Sequence, residues 1–281
     1  MPLAVRSLGQ GPPTVLLHGL MGSNRYWGGA FDRLADNGLL LAPDLLGFGA
    51  SARPVSGYGP EEHGHALIKS LRTMNVSGRS LLVGHSLGAL LAIWMAGRYP
   101  DQVRGVVAFA PPLYRDPRQA RQRIAQLGWL NRLFGPDKWA AKLACQNMCQ
   151  ARPGLAARLY SILRPDLPYP LVEDSTRHSW VSYSETLRRV ILAAEGANWL
   201  ATATSPILMV AGTEDKYLDL EYLRSLADQN SQVQLRVWAG QGHDLPLSQP
   251  ERCLKAIESW NDPALGGGDE TLGILGSAGT R

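Results

Sequence analysis

Residues 81–97, LLVGHSLGALLAIWMAG, form an apolar stretch that is interrupted by His85 and Ser86. The part before Gly84 is typical of a buried strand and the part after Ser86 of a buried helix, so the chain must reverse direction within residues 84–88. Glycines on both sides allow the strand and the helix to approach closely around a residue in a strained backbone conformation. The stretch therefore predicts a strand, a tight turn and a helix, with Ser86 at the turn.

Short apolar runs and longer amphipathic runs alternate on both sides of this unit. The predicted strands span residues 3–8, 14–17, 39–42, 80–83, 103–109, 207–211 and 232–238, and the predicted helices span residues 24–37, 60–74, 86–99, 220–227 and 250–260. This alternation predicts an α/β fold with a mostly parallel central sheet and helices on both faces.

The alternation stops between residues 112 and 204, where every recognisable pattern is helical and prolines interrupt the segment. We interpret this segment as an all-helical cap inserted into a core made of residues 1–111 and 205–262. Residues 263–281 are rich in glycine and are predicted to form a flexible tail.

Composition excludes several classes of protein. The net charge is +4 and the chain has no basic run that would follow a phosphate backbone, so we expect no nucleic-acid partner. No window reaches the roughly 18 apolar residues that a membrane-spanning helix needs, and the first residues do not resemble a signal peptide. These features predict a cytoplasmic protein without a membrane span.

The chain has three cysteines, which is too few for a disulfide framework. Cys145 and Cys149 are one helical turn apart, and no histidine follows them at the spacing of a metal site. We therefore expect both of them, and Cys253, to be reduced core residues, and we expect no metal.

Ser86 occupies the central position of a Gly-x-Ser-x-Gly sequence between a strand and a helix, which is typical of a nucleophile elbow. A serine nucleophile needs a base that is oriented by an acid, and in this arrangement the acid precedes the base in the chain. Asp215 and His243 follow two successive predicted strands, so they are expected at the same sheet edge as Ser86. Glu214 and Asp219 are the alternatives for the acid.

The other histidines are weaker candidates for the base. We expect His18 to hold its own turn by a hydrogen bond and His85 to point away from Ser86. His63 and His65 lie two residues apart on a predicted helix and are expected to be solvated. His178 lies within the helical segment.

An acyl-transfer site also needs hydrogen-bond donors for the developing oxyanion. The backbone N–H of Leu87, directly after the nucleophile, is one candidate. The N–H of Leu20, in the glycine-containing sequence HGLMGS, is the other.

Five segments together resemble the α/β-hydrolase fold family, specifically a cap-bearing, esterase-like serine hydrolase: LLHGLMGSNRYW, APDLLGFGAS, VGHSLGALLAIWMAGRYPDQV, ILMVAGTED and GQGHDLPLSQPE. The resemblance covers about residues 3–261. It implies that Ser86 is the nucleophile, Asp215 the acid and His243 the base, with Leu20 and Leu87 as oxyanion donors and no cofactor. The DLLGFGAS segment resembles a structural loop of the family.

Two departures narrow the resemblance. Relatives that open epoxides or remove halide carry an aspartate at the elbow, where this chain has Ser86. Relatives that hydrolyse carbon–carbon bonds typically have more glycine and proline after the HG sequence and an asparagine before the nucleophile, where this chain has His85.

The cap segment is basic and aromatic. Residues 112–199 contain thirteen Lys/Arg and seven Asp/Glu. This surplus of positive charge can steer an anionic substrate, but we favour the simpler interpretation that the basic residues lie on a solvated helix face. Trp129 and Trp180 in this segment, with Met21 and Trp27 near the oxyanion loop, are predicted to line an apolar or aromatic acyl pocket.

These features predict a serine hydrolase that cleaves a carboxylic ester of a small molecule through an acyl-enzyme. The same chemistry on a lactone, a thioester or a carbon–carbon bond, or acyl transfer to an alcohol, is the first alternative. A small-molecule receptor on a hydrolase scaffold is the second.

Overall fold

The computed structural model describes residues 2–126 and 139–261. Seven strands form one sheet in the order β1-β3-β2-β4-β5-β6-β7. Only β1 and β3 pair antiparallel, and every other neighbouring pair is parallel. The strands are β1 Val5–Leu8, β2 Pro13–Leu17, β3 Leu39–Pro43, β4 Ser80–His85, β5 Val103–Phe109, β6 Ile207–Gly212 and β7 Val233–Trp238. The predicted α/β class with a mostly parallel sheet is confirmed.

Helices follow most of the strands. In chain order they are α1 Pro60–Thr73, α2 Leu87–Arg98, α3 Pro117–Gln126, α4 Trp139–Ala144, α5 Pro153–Leu163, α6 Tyr169–Ser175, α7 Trp180–Thr186, α8 Gly196–Thr202, α9 Leu220–Asp228, α10 Leu245–Ser248 and α11 Pro250–Asn261. Two π-helical segments, Cys145–Gln150 and Leu187–Ile191, continue α4 and α7. In the described part of the chain, no helix is long and apolar enough to cross a membrane.

The sheet separates two hydrophobic core clusters. Successive side chains of a strand point to opposite faces, so Val15 and Leu17 of β2 join the cluster that contains α2, whereas Leu16 joins the cluster that contains α11. These residues are fully buried, and each such leucine contributes about 1.5–3 kcal/mol by leaving water. The central strands are therefore fixed on both faces, and their carboxyl ends form a rigid edge.

Residues 24–37 differ from the predicted single helix. They form two 3₁₀ helices, Asn24–Trp27 and Gly29–Asp36, separated by Gly28. Gly28 has φ 61°, a left-handed conformation that interrupts a right-handed helix and that glycine adopts without steric cost.

In the described part of the segment between β5 and β6, every regular element is a helix, as the pattern predicted, and turns and irregular stretches connect these helices. An isolated antiparallel bridge joins His178 of this segment to Phe48 in the loop after β3. The division into a core and a cap remains a prediction. Residues 263–281 lie outside the described residues.

Candidate active site

Ser86 lies at the turn between β4 and α2. Its φ of 52° and ψ of −112° place a non-glycine residue in a positive-φ conformation, which costs about 1–3 kcal/mol and persists only when the surrounding structure imposes it. A Cβ atom on Gly84 would come within 2.3 Å of the Gly88 backbone, and one on Gly88 within 2.1 Å of the Leu17 carbonyl oxygen. The two glycines therefore let the start of α2 rest against β2 and β4.

Asp215 and His243 meet in the loops after β6 and β7. The distance from Asp215 Oδ2 to His243 Nδ1 is 2.7 Å, and Asp215 Oδ1 accepts a hydrogen bond of 2.8 Å from the Tyr217 N–H. Because a carboxylate only accepts, Nδ1 donates the proton of this hydrogen bond, which is the tautomer that leaves the lone pair on Nε2. The Asp215 side chain is fully buried, and that of His243 is 15 % exposed.

The two alternative acids do not take this position. Glu214 is exposed. Asp219 caps the N-terminus of α9 by accepting from the Tyr222 N–H at 3.1 Å. The structure therefore pairs Asp215 with His243, as the order of strands in the sequence predicted.

His85 supports the loop that carries His243. Its Nε2 lies 3.0 Å from the backbone carbonyl oxygen of His243, and its ring stacks on Tyr26 at 4.8 Å. Burial, together with the neighbouring His243, lowers the pKa of His85 to about 4. His85 is therefore neutral near pH 7 and donates one hydrogen bond to this loop.

The loop after β2 is held by His18, as predicted. The Leu45 N–H donates to His18 Nε2 at 2.9 Å, so Nδ1–H donates to the Gly19 carbonyl oxygen at 2.7 Å. The backbone amides of Leu20 and Leu87 have no acceptor within the described residues. These two N–H groups, one in this loop and one directly after Ser86, are available as oxyanion donors.

A cavity of about 710 Å³ opens above this edge of the sheet, and Ser86 and His243 both line it. Its walls come from the core loops and from the helical segment. Five tyrosines contribute to it, together with leucine and isoleucine side chains and Met21: Tyr26, Tyr114, Tyr160, Tyr183 and Tyr217. Apolar side chains and phenol groups therefore form much of the cavity wall, and charged residues also line it: Arg164, Asp174, Lys216 and Asp244.

The predicted pocket residues have different fates. Leu20 and Met21 line the cavity. Trp27 does not, because its 3₁₀ helix buries it against Phe31 on the other side of the sheet. Trp180 packs on Ala141, Cys145 and Tyr183 inside the helical segment and is not among the described lining residues. The prediction of a pocket role is thus wrong for Trp27 and Trp180, and Trp129 lies outside the described residues.

Tyr114 and Asp174 belong to the site region, and neither was predicted from the sequence. The Tyr114 side chain is buried and lines the cavity, and its hydroxyl has no partner within the described residues. Burial raises the pKa of Tyr114, so its hydroxyl stays protonated. Its position just after β5, at the same edge as Ser86, was the available signal in the sequence.

Asp174 joins the helical segment to the core. It is 3 % exposed, and its Oδ2 accepts hydrogen bonds of 2.6 Å from both Ser23 Oγ and Arg25 Nε. Burial opposes ionisation, but the hydrogen bonds from Arg25 and Ser23 outweigh it and lower the pKa of Asp174. The contact spans about 150 positions in the sequence, so no local sequence pattern indicates it.

The predictions for His63 and for Cys145 need correction. His63 is buried rather than solvated, with Nε2 3.2 Å from Thr186 Oγ1, because its side of α1 faces the protein interior; His65 is exposed, as expected. Cys145 does have a histidine neighbour, since His178 Nε2 lies 3.6 Å from its Sγ. The folded helical segment brings these two residues together across 33 positions.

Part of the positive charge of the helical segment is paired with carboxylates. Among its described arginines, ion pairs join Arg115 to Asp219, Arg164 to Asp166 and Asp244, Arg177 to Glu173 and Asp174, and Arg189 to Glu62 and Glu185. This pairing lowers the charge that could attract an anion, which favours the interpretation of a solvated helix surface.

The chain belongs to the α/β-hydrolase family: residues 14–256 match the model described as "Alpha/beta hydrolase family". The fold and the arrangement of Ser86, His243 and Asp215 agree with this assignment. Membership of this family supports hydrolase activity.

Two relatives with named activities are similar to this chain over most of its length. A 2-(acetamidomethylene)succinate hydrolase from Mesorhizobium japonicum is 28 % identical over 264 residues, which cover 92 % of this chain and 91 % of the relative. A haloalkane dehalogenase from Agrobacterium fabrum is 38 % identical over 281 residues, which cover 90 % of this chain and 86 % of the relative.

Solved structures show the same fold. The crystal structure of E-2-(acetamidomethylene)succinate hydrolase superimposes with a TM-score of 0.73 at 23 % identity, covering 92 % of this chain and 95 % of the other. The enol-lactonase from Burkholderia xenovorans superimposes with a TM-score of 0.70 at 18 % identity, covering 92 % and 96 %.

Proposed function

We propose that this protein is a serine hydrolase that cleaves a carboxylic ester, or a closely related acyl compound, through an acyl-enzyme. The observation that carries the proposal is the 2.7 Å contact between Asp215 and His243 at the wall of the cavity that Ser86 also lines. Nucleophile, base and acid thus come from three loops at one sheet edge, an arrangement that simple ligand binding does not require.

In the proposed reaction, Ser86 Oγ attacks the ester carbonyl carbon and its proton passes to His243 Nε2. The N–H groups of Leu20 and Leu87 stabilise the negative charge on the carbonyl oxygen of the tetrahedral intermediate. When the intermediate collapses, the carbon–oxygen bond breaks and His243 returns the proton to the leaving alcohol. Water, deprotonated by His243, then attacks the carbonyl carbon of the acyl-enzyme. The bond from this carbon to Ser86 Oγ breaks, His243 returns the proton to Ser86, and the acid is released. Asp215 keeps the imidazole in the required tautomer throughout.

The cavity supports a substrate with an apolar or aromatic acyl part. Leucine, isoleucine and methionine side chains supply apolar contact, and the tyrosine rings can stack on an aromatic group. The unpaired Tyr114 hydroxyl favours a substrate that also has a hydrogen-bond acceptor, because a buried donor left without a partner costs about 1–3 kcal/mol.

Halide removal is disfavoured by the chemistry of the nucleophile, in spite of the similarity to a dehalogenase. Displacement of halide by a carboxylate gives an alkyl ester, which water can hydrolyse. The same displacement by Ser86 would give an alkyl ether, which a histidine-activated water does not cleave. The enzyme would stop after one turnover.

The test measures release of nitrophenol from esters with short, medium and aromatic acyl groups. Ser86→Ala and His243→Ala should each lower kcat by at least about a thousandfold. The matched controls are Ser56→Ala and His65→Ala, which change an exposed serine and an exposed histidine and should retain activity. A fluorophosphonate should label the wild type once, on the peptide that contains Ser86.

The alternatives give different results in the same experiment. A lactonase, a thioesterase or a carbon–carbon hydrolase would still be labelled at Ser86 but would prefer its own substrate over the nitrophenyl esters. A receptor would show neither labelling nor turnover. Full activity in Ser86→Ala would refute the proposal.

A further inference from the structure

Three potential metal ligands converge inside the helical segment, away from the proposed catalytic residues. The Sγ atoms of Cys145 and Cys149 and a ring nitrogen of His178 all lie within 4.8 Å of one another. Cys145 and His178 are buried, and Cys149 is partly exposed. A cluster of two thiols and an imidazole with one partly exposed member can admit an ion from solvent and then hold it with little contact to water.

The backbone places the two cysteines on the same side of a helix. They lie four residues apart within the π-helical segment Cys145–Gln150, and residues at this spacing are neighbours on the surface of a helix. π-Helical turns are rare and occur frequently at functional sites. The side chains of Cys145 and Cys149 can therefore face one ligand without a change in helix geometry.

His178 has the orientation of a metal-ligating histidine. Its Nδ1 lies 2.8 Å from the carbonyl oxygen of Ser175, so Nδ1 must carry the proton that is donated to this acceptor. Nε2 then keeps its lone pair, and this atom is the one that lies 3.6 Å from Cys145 Sγ. In metal sites, a hydrogen bond from the other ring nitrogen to a backbone carbonyl fixes the ligating histidine in this way.

The distance between Cys145 and His178 matches tetrahedral coordination, and all three ligand atoms lie within 4.8 Å of one another. With a zinc–sulfur distance of about 2.3 Å and a zinc–nitrogen distance of about 2.0–2.1 Å, two ligand atoms at the tetrahedral angle are separated by about 3.6 Å. This is the observed distance between Cys145 Sγ and His178 Nε2. Sulfur and imidazole ligands select zinc and other thiophilic ions over magnesium and calcium.

We propose that Cys145, Cys149 and His178 form a binding site for a thiophilic divalent cation, with Zn²⁺ as the natural class of ligand. Two thiolates and one imidazole supply three ligands, and water supplies the fourth. Binding replaces the two thiol protons by the metal, so up to two protons are released per ion. The occupied site has no net charge, because the two thiolate charges balance that of the dication.

The site joins separate parts of the helical segment. Cys145 and Cys149 follow α4, whereas His178 lies between α6 and α7 and forms the bridge to Phe48. The ring of Tyr183, which lines the cavity, lies 5.7 Å from that of His178. A bound ion would thus tie α4 to the α6–α7 connection behind the cavity wall.

The test titrates the reduced, metal-free full-length protein with Co²⁺ and then displaces it with Zn²⁺. We expect one ion per chain, a thiolate-to-cobalt charge-transfer band in the near ultraviolet and visible bands of tetrahedral intensity. Cys145→Ser, Cys149→Ser and His178→Gln should each weaken binding at least about tenfold. Calorimetry in buffers of different ionisation enthalpy should show proton release in the wild type.

Cys253→Ser is the matched control, because Cys253 is buried in the core cluster that contains α11, separate from the cysteine–histidine cluster, and it should bind Co²⁺ like the wild type. If His178→Gln does not fold, the two cysteine variants still test the site, and circular dichroism identifies the folded proteins. Absence of the thiolate band in the reduced wild type, or an unchanged band in both cysteine variants, would overturn the proposal. A Cys145–Cys149 disulfide in a protein that binds no Co²⁺ after reduction would also overturn it.

Discussion

Gly88→Ala tests the close contact that positions Ser86. The added Cβ would lie 2.1 Å from the Leu17 carbonyl oxygen, 2.6 Å from the Leu17 carbonyl carbon and 2.8 Å from the His18 carbonyl oxygen. All three are backbone atoms, and Leu17 is paired with β4 through Gly84. No flexible side chain can move aside, so α2 must move away from β2 by about 1 Å to restore ordinary contact.

This displacement has two expected consequences. Overpacking at a buried position should lower the free energy of unfolding by about 1–3 kcal/mol. Because Ser86 immediately precedes α2, its hydroxyl moves with the helix, and a misplacement of about 1 Å can lower kcat about a hundredfold. The measurements are urea unfolding and kcat on a nitrophenyl ester.

Gly154→Ala is the matched control, because a Cβ at Gly154 of α5 meets no atom within 4 Å. It should leave kcat unchanged and change the unfolding free energy by less than about 1 kcal/mol. A folded Gly88→Ala enzyme with kcat within about threefold of the wild type would refute the argument that this glycine sets the position of the nucleophile.

Three further predictions concern groups around the site. Asp215→Asn should lower kcat by about a thousandfold or more, because an amide can donate to His243 Nδ1 and so favour the wrong tautomer; kcat within tenfold of the wild type would contradict the assignment of the acid. His85→Ala should lower kcat about tenfold, equivalent to about 1.4 kcal/mol and close to the value of one hydrogen bond, whereas His85→Gln can still donate and should recover most of it. A lower Tm with unchanged kcat in His85→Ala would show that the ring only packs. Burial raises the pKa of Asp174, but the hydrogen bonds from Arg25 lower it by more, so the folded pKa lies below the ordinary value. The ionised Asp174 therefore stabilises the fold above the unfolded pKa of about 3.9, and this stabilisation is lost as pH falls through the lower folded pKa. The wild type should therefore lose more unfolding free energy than Asp174→Asn below about pH 4, and equal losses in urea titrations would contradict this.

The proposed catalytic residues could be placed from the sequence because a parallel sheet converts chain order into position. Each strand of the pattern ends at the same edge, so Ser86, Asp215 and His243 were expected together once β4, β6 and β7 were recognised. The 2.7 Å contact between Asp215 and His243 agrees with this rule. The elbow itself needed only local information, namely two glycines and the change from strand to helix.

Burial could be predicted better than the direction of a side chain. An apolar pattern indicates that Trp27 is inside the protein, but it does not indicate on which side of the sheet. The interruption at Gly28 turns residues 24–36 into two 3₁₀ helices, and Trp27 then packs on Phe31 rather than in the cavity. The prediction rested on the nearness of Trp27 to the oxyanion loop in the sequence, which does not determine the direction of its side chain.

The helical segment has no sheet edge that would relate distant residues to one another, so its contacts could not be derived from chain order. Asp174 bonds to Arg25 of the core, and His178, four residues further on, meets Cys145 on one side and Phe48 on the other. These contacts attach the short stretch of residues 174–178 both to the core and to α4. Because Asp174 also lines the cavity, we expect this part of the cavity wall to keep its position when substrate binds.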